Sequence, residues 1–493
     1  MAKASGHFIS LSIPSFSKAD RIFSSSIVTI VCVQGNRVYH VCNDPFREPR
    51  RTGSVKIALV HSRQDPGGKN IRHQIDCLLS APGRERSFPL ERHDILFHEV
   101  EERLIRQDHL DRSLDTDLII FLSRHSSINP FPVLTVHVTG NIGPADLGGR
   151  PGSVAVAAPE WMHAVLGRLS HHVPAGYQVS YEVTHHGPSE IETPSFFVEI
   201  GSTDSEWQDS RAGEAVARSV LEANPIGTIN LLGVGGTHYA RRETQIALES
   251  RAAFGHIVHS RDTPRVDISM LRYLIQMGKA QAVYLDRKAL PTEELTRLTT
   301  LIDGMEITRL SESELLQLKH LCWETWHAIY EIARNIDPKA KVHIPSLIRD
   351  GSPLTIDLPP ELVREAFMAD ASVLKNGLEQ LPVIFLSTRS TPILPVFIIT
   401  GENSPVILNA LISLCVTIIS RGENTAIEGD QLIIRKSKFD PDRARKLGVP
   451  AGPLFGELMK GRIVTIDGHE ITPDMVRINK DITIHIPGLE KLT

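Results

Sequence analysis

Seven short apolar runs, most of them separated by helical patterns, occupy residues 55–285. They are VKIALV (55–60), DLIIFLS (117–123), VLTVHV (133–138), QVSYEVT (178–184), FFVEI (196–200), TINLLGV (228–234) and QAVYL (281–285). Runs this short read as buried strands, and their alternation with helical segments is the signature of an α/β domain. In IRHQIDCLL, Ile71, Ile75, Leu78 and Leu79 fall on one helical face, with Asn70 the expected N-cap. Further helices are expected at about 158–170, 205–223, 242–253 and 267–278. Thr203 with Glu206 forms a capping-box pattern before the second of these, and Asn224-Pro225 stops it.

A chain of 493 residues is too long for one core. Residues 1–54, rich in Ser and Arg and ending in REPRRTGS, read as a poorly ordered extension; 55–310 as the catalytic domain; 311–493 as an accessory α/β unit. That last unit carries the helical pattern SELLQLKHLCWETWHAIYEIARNI, the apolar run SPVILNALISLCVTIIS and a closing hairpin at Asp467-Gly468. A formal charge of -5 argues against non-specific coating of nucleic acid. Five cysteines in no CxxC pair suit a reducing compartment, and IVTIVCV (27–33) is too short to span a bilayer. A cytoplasmic chain without membrane contact is expected.

Five runs deliver polar, mostly histidine-bearing ends. DLIIFLS leads into Arg124-His125-Ser126-Ser127, and VLTVHV carries His137 into Thr139-Gly140-Asn141. QVSYEVT ends on Thr184 and meets His185-His186-Gly187-Pro188; FFVEI carries Glu199; TINLLGV runs into Gly235-Gly236-Thr237-His238-Tyr239. Ten of the 22 histidines lie between His125 and His259. Ligands of open α/β sheets bind at the carboxyl ends of strands, so parallel strands would bring these ends into one crevice. Adjacent strand residues face opposite ways, but Gly187-Pro188 breaks the strand and lets His185 and His186 both turn inward.

A single histidine at a strand end is ordinarily a hydrogen-bonded loop residue; five such ends together indicate a site. Neutral imidazoles beside a carboxylate suit a zinc centre with a position open to water. They equally suit a metal-free general base working with a hydroxyl such as Thr184, Ser126, Ser127 or Thr237. HExxH is absent. Gly235-Gly236 either presents N–H groups to an oxyanion or forms a tight turn. DPGGKN lacks the Walker spacing and no GxGxxG opens a helix, which argues against a nucleoside triphosphate.

The same strand ends resemble the D-aminoacyl-tRNA deacylases of the archaeal and plant type. The matching phrases are SRQDPGGKNI (62–71), FLSRHSS (121–127), LTVHVTGN (134–141), EVTHHGP (182–188), VEIGSTDSEW (198–207) and GVGGTHYARR (233–242). The resemblance departs at Thr237 and Arg241, where the family usually has glycine and proline. FDPDRARKLGVPAGPLFGELMKGRIVTIDG (439–468) is similar to longer archaeal members and to tRNA 3′-processing nucleases. The resemblance implies a three-layer α/β sandwich with a mixed, largely parallel sheet, like purine nucleoside phosphorylases and peptidyl-tRNA hydrolases. It also implies zinc, the aminoacylated 3′ end of tRNA as partner, and hydrolysis of the ester joining a D-amino acid to it.

On that reading His137, His185, His186 and His238 are the expected catalytic cluster and metal ligands, with Thr184 beside them and Glu199 as ligand or base. Gly235 and Gly236 would supply oxyanion donors. Asp65 would meet the substrate's amine and Lys69 its phosphate, while Arg124, His125, Asn141 and Tyr239 would line the substrate site. A monomer is expected. The alternatives are another zinc- or histidine-dependent hydrolase of peptidyl-tRNA or nucleosides, and a tRNA-binding protein without catalysis.

Overall fold

All seven apolar runs form strands, and three strands that the run pattern does not single out complete the sheets. The computed structural model describes residues 29–34, 37–42, 54–82, 87–305, 307–401, 404–422 and 424–491. Within the N-terminal unit, Met1–Ser54, Thr29–Gln34 pairs antiparallel with Arg37–Cys42. The rest of that segment, and with it the expectation of poor order, lies outside the described residues.

The first sheet is built from β1 (Lys56–Ser62), β2 (Asp94–Val100), β3 (Leu118–Arg124), β4 (Val133–His137), β5 (Gln178–Tyr181) and β6 (Ser195–Gly201). Its order is β2-β1-β3-β6-β4-β5. All neighbours are parallel except β6 and β4. β3 and β6 are buried almost end to end, as strands covered on both faces must be. Phe121 and Phe197 lie opposite each other there and stack at 4.6 Å; each contributes about 2–3 kcal/mol by burial. A second, all-parallel sheet has β7 (Ile229–Gly236), β8 (Ala252–His259), β9 (Ala282–Leu285) and β10 (Thr308–Leu310) in the order β8-β7-β9-β10. The α/β fold with a largely parallel sheet is therefore present, but spread over two sheets. The polar ends do not share one edge, because β4 runs against β6.

Three helix readings need correction. α1 (Pro66–Leu79) starts at Asp65, whose carboxylate accepts the Gly68 N–H at 2.9 Å, with Pro66 in the first turn; Asn70 lies inside the helix and binds the Trp207 and Asp209 carbonyls instead. The helix expected over 205–223 is divided. Thr203 and Glu206 do make their capping box, on the one turn Asp204–Trp207, and Asp209 then caps a separate helix, Ser210–Leu221. The helix expected over 242–253 stops at Glu249, since Ala252–His259 is drawn into the second sheet beside β7.

Beyond residue 310 the main core continues through Leu315, Leu321, Trp326, Ile329 and Ile384. A four-stranded antiparallel sheet carries its own core, against which the helix Ser404–Ile419 packs; this settles SPVILNALISLCVTIIS as a helix. The hairpin at Asp467-Gly468 forms, with φ of 48° and 81° at the two turn residues. It is not the last element, because Arg477–His485 returns to pair along the whole of Gln431–Phe439. The segment between those two strands holds a small core of Ala444, Val449, Leu458, Val464, Ile471 and Val476.

Candidate active site

Sheet register brings the first residues of the site together. β4 and β6 pair Phe197 with His137 and Glu199 with Thr135, so His137 and Glu199 are diagonal neighbours on one face. Their Nε2 and Oε2 atoms are 3.6 Å apart. His125 follows β3 directly, and its Nδ1 lies 3.0 Å from Glu182 and 3.6 Å from Glu199. β5 ends at Tyr181, and the chain leaves the sheet carrying Glu182, His185 and His186. His186 adopts φ 49°, a left-handed conformation rare outside glycine, which turns its ring back onto the cluster. The rings of His137, His185 and His186 pack together with centroids 4.4 to 4.9 Å apart. His238, after β7, brings Nε2 to 3.5 Å from Glu182, and His185 lies 3.4 Å from the same carboxylate.

Backbone carbonyls decide where the protons sit. His137 Nδ1 donates to Val138 O at 3.2 Å, His185 Nδ1 to Val183 O at 2.8 Å and His186 Nδ1 to Gly187 O at 2.6 Å. A carbonyl only accepts, so the neutral rings of His185 and His186 each leave Nε2 as a lone pair. Burial and the neighbouring rings hold His185 well below the usual imidazole range and His186 down to about 4. Burial also opposes charge on His125, but Glu182 and Glu199 outweigh it and push it up to about 11. His137 is raised by Glu199 against the same burial. The carboxylates mirror this: burial would raise them, yet the histidines hold Glu182 well below the usual carboxylate range and Glu199 at about 2.

This donor set fits a metal ion. Ligand atoms of His137, His185 and His186 lie within 4.8 Å of one another, as do those of His125, Glu182 and His238, and those of His137, Glu182 and Glu199. His137 Nε2 and both Glu182 oxygens are buried without a hydrogen-bond partner. Protonated His125 offsets part of the charge on Glu182, and a bound cation or water would meet the atoms that remain unsatisfied. The cluster opens into a cavity of about 290 Å³ whose lining includes His125, His185, His186, Glu199, Asp65 and Arg124. Trp207 stands at this cavity and fixes its indole by donating Nε1–H to the His125 carbonyl at 2.8 Å.

A family profile described as D-aminoacyl-tRNA deacylase matches residues 112–310. The chain is 47% identical over 438 residues to the D-aminoacyl-tRNA deacylase of Methanoculleus marisnigri, covering 89% of this chain and all of that one. It is 48% identical to the one of Methanoregula boonei, over 88% of this chain and 99% of the relative. The chain belongs to the D-aminoacyl-tRNA deacylase family. The profile takes in the crevice residues from His125 to His238, so family membership and the metal-compatible cluster concern the same part of the molecule.

Within this family member, His125, His137, His185, His186, His238 and Glu199 converge as the sequence suggested. Tyr239 joins them through a 2.9 Å hydrogen bond between its hydroxyl and His125 Nε2. Other expected residues are placed elsewhere or engaged. Thr184 is not a free hydroxyl: its Oγ1 lies 3.0 Å from His256 Nδ1 and accepts the Ile257 N–H at 3.2 Å. Asp65 lines the cavity, but its carboxylate accepts from Gly68 N, Ser123 Oγ and Arg124 N, tying α1 to the end of β3. Lys69 is exposed on α1 and off the cavity lining. Asn141 donates to Gly148 O at 2.9 Å and so braces a loop. Gly235 and Gly236 also lie off the lining: a Cβ on Gly235 would meet Leu290 at 2.8 Å, and one on Gly236 would meet Ile257 at 3.2 Å. Packing at both positions, and a φ of 108° at Gly235, favour glycine there.

Two residues escaped sequence reasoning. Glu182 sits in YEVTHHGP but alternates with buried Tyr181 and Val183, a pattern that reads as a solvent-facing strand position. His256 lies in the unrecognised strand β8. Its Nε2 donates to Ala155 O at 3.1 Å, which leaves Nδ1 to accept from Thr184. No helix among the described residues is long and apolar enough to cross a membrane.

Proposed function

We propose that the histidine–glutamate crevice is where this deacylase cleaves the ester joining a D-amino acid to tRNA, releasing free amino acid and tRNA. The observation that carries the reading is the convergence of His137, His185 and His186 with two ionised carboxylates, Glu182 and Glu199, in a cluster that reaches the cavity through His185, His186 and Glu199. His137, His185 and His186 would hold a metal ion, and zinc suits their imidazole-rich character. Bound there, zinc would polarise the ester carbonyl and lower the pKa of water.

The protein's own groups supply the rest. Glu199, ionised and facing the cavity, accepts the proton of the attacking water. Protonated His125, held by Glu182 and Tyr239, presents positive charge to the oxyanion that develops on the carbonyl. Inverting the substrate's α-carbon drives its side chain into the wall or moves the carbonyl away from these groups, so chirality is read by shape. The chain is proposed to act in the cytoplasm, as a monomer and without nucleoside triphosphate. Its 311–493 segment is proposed as an accessory unit, and residues 1–54 as an extension outside the catalytic part.

The test is to follow amino-acid release from matched D- and L-aminoacyl-tRNA by the purified, metal-analysed protein, with and without a chelator. Loss of the D-ester alone, stopped by chelation and restored by zinc, is expected. Full D-ester turnover by His137→Ala would remove this cluster from the mechanism.

A further inference from the structure

Two arginines stand on the cavity wall. Glu199 lies among the histidines, while Arg103 and Arg124 line the same cavity. Neither guanidinium has a hydrogen bond or ion pair to another protein group among the described residues. They come from two separate walls. Arg124 ends β3, and its Cβ packs against the start of α1, 3.0 Å from the position a Cβ on Gly67 would take. The Trp207 ring holds its guanidinium at 4.7 Å from the centroid. Arg103 begins the turn Leu104–Arg106, which is pressed against the chain beside His186: a Cβ on Gly187 would approach Ile105 O to 2.4 Å. Both arginines are thus borne by backbone that is fixed relative to the cluster.

At about 290 Å³ the cavity lies just below the usual size of ligand pockets and cannot take in more than the substrate's terminal part. The RNA backbone must then leave across the rim. We propose that Arg103 and Arg124 clamp the phosphate on the 5′ side of the substrate's terminal nucleotide. This rests on the deacylase reading and adds to it the group that anchors the substrate. A guanidinium matches a phosphate with paired N–H donors. Holding the phosphate at the wall would fix the direction of the substrate in the site. The N-terminus of α1 is not the anchor, because Asp65 already fills it.

The experiment compares two small esters, 2′(3′)-O-D-phenylalanyl adenosine and the same ester of adenosine 5′-monophosphate. The wild-type protein is expected to favour the phosphate-bearing ester by about 10-fold or more in kcat/KM. That preference should lie in KM and shrink as salt rises. In Arg103→Ala and Arg124→Ala the ratio between the two esters should fall toward one, with Arg124→Lys retaining part of it. A ratio that survives both alanine variants, or a wild type with no preference, would overturn the clamp. Failure of the deacylase reading looks different: the wild type would cleave neither ester, or the D- and L-phenylalanyl forms alike.

Discussion

Among the described residues, two places hold glutamate side chains 3% exposed or less and treat them in opposite ways. In the crevice, Glu182 and Glu199 face His125, His137 and His185 and are held ionised. At the start of the helix Arg241–Glu249, Glu243 is 1% exposed, neither of its oxygens has a hydrogen-bond partner, and burial pushes it up to about 7. Arg242 is adjacent in sequence but is engaged by Asp286 at 3.1 Å and Glu312 at 3.0 Å. The difference teaches that burial alone does not set charge here. What faces the carboxylate does, and only the crevice surrounds its acids with imidazoles.

The sharpest way to break this comparison is Glu182→Gln. Removing the charge leaves His125 short of its nearest anion and empties one ligand position. Turnover of D-aminoacyl-tRNA should fall by about 10³-fold, with the His125 pKa dropping in an NMR titration. Near-normal turnover would mean that the ionised carboxylate is not what distinguishes the crevice.

A smaller effect is expected from His256→Ala, which withdraws the partner of Thr184 without touching the cluster. The segment from Glu182 to His186 then loses a brace, and kcat should fall about 10- to 100-fold, the usual cost of losing support behind a site. His256→Gln should recover part of the loss. A change confined to thermal stability would assign His256 to the core alone.

Glu243→Gln should have the least effect on turnover and is read in stability. The folded pKa of Glu243 is raised from 4.5 to about 7. The native state therefore holds its proton where the unfolded chain has lost it. Stability is highest below the unfolded value and falls as pH rises to about 7, by about 3 kcal/mol in total. The glutamine variant should lose that slope and be more stable than wild type at pH 8 in denaturant titrations, yet equal to it at pH 4. A wild-type stability flat between pH 4 and 8 would place Glu243 in a wetter setting than its burial indicates.

Much of the fold was legible because apolar runs and capping residues are local signals. The seven runs and the Thr203 capping box act within a few residues of themselves. Strand direction is not local: side chains alternate identically in parallel and antiparallel pairs, so nothing in VLTVHV announces that β4 opposes β6. Ala252–His259 was hidden for a related reason. Its Ala-Ala-Phe opening continues the preceding helical pattern, and only pairing with β7 makes it a strand. In the crevice, histidines at strand ends were visible as residue types out of place. Glu182 was not, because apart from His185 its partners, His125 after β3 and His238 after β7, are far away in sequence.

The carbonyls of Val138, Val183 and Gly187 have a further consequence for how such a centre is inherited or rebuilt. They belong to the main chain, so no point substitution deletes them, and the orientation of three rings is insulated from drift in nearby side chains. Lineages could exchange much of the surrounding wall while these lone pairs kept their aim. The same property limits transplantation: grafting the histidines onto another scaffold would carry the imidazoles across but not their protonation pattern. The heritable unit is the backbone path from His137 to Val138 and from Val183 to Gly187, with the side chains as its cargo.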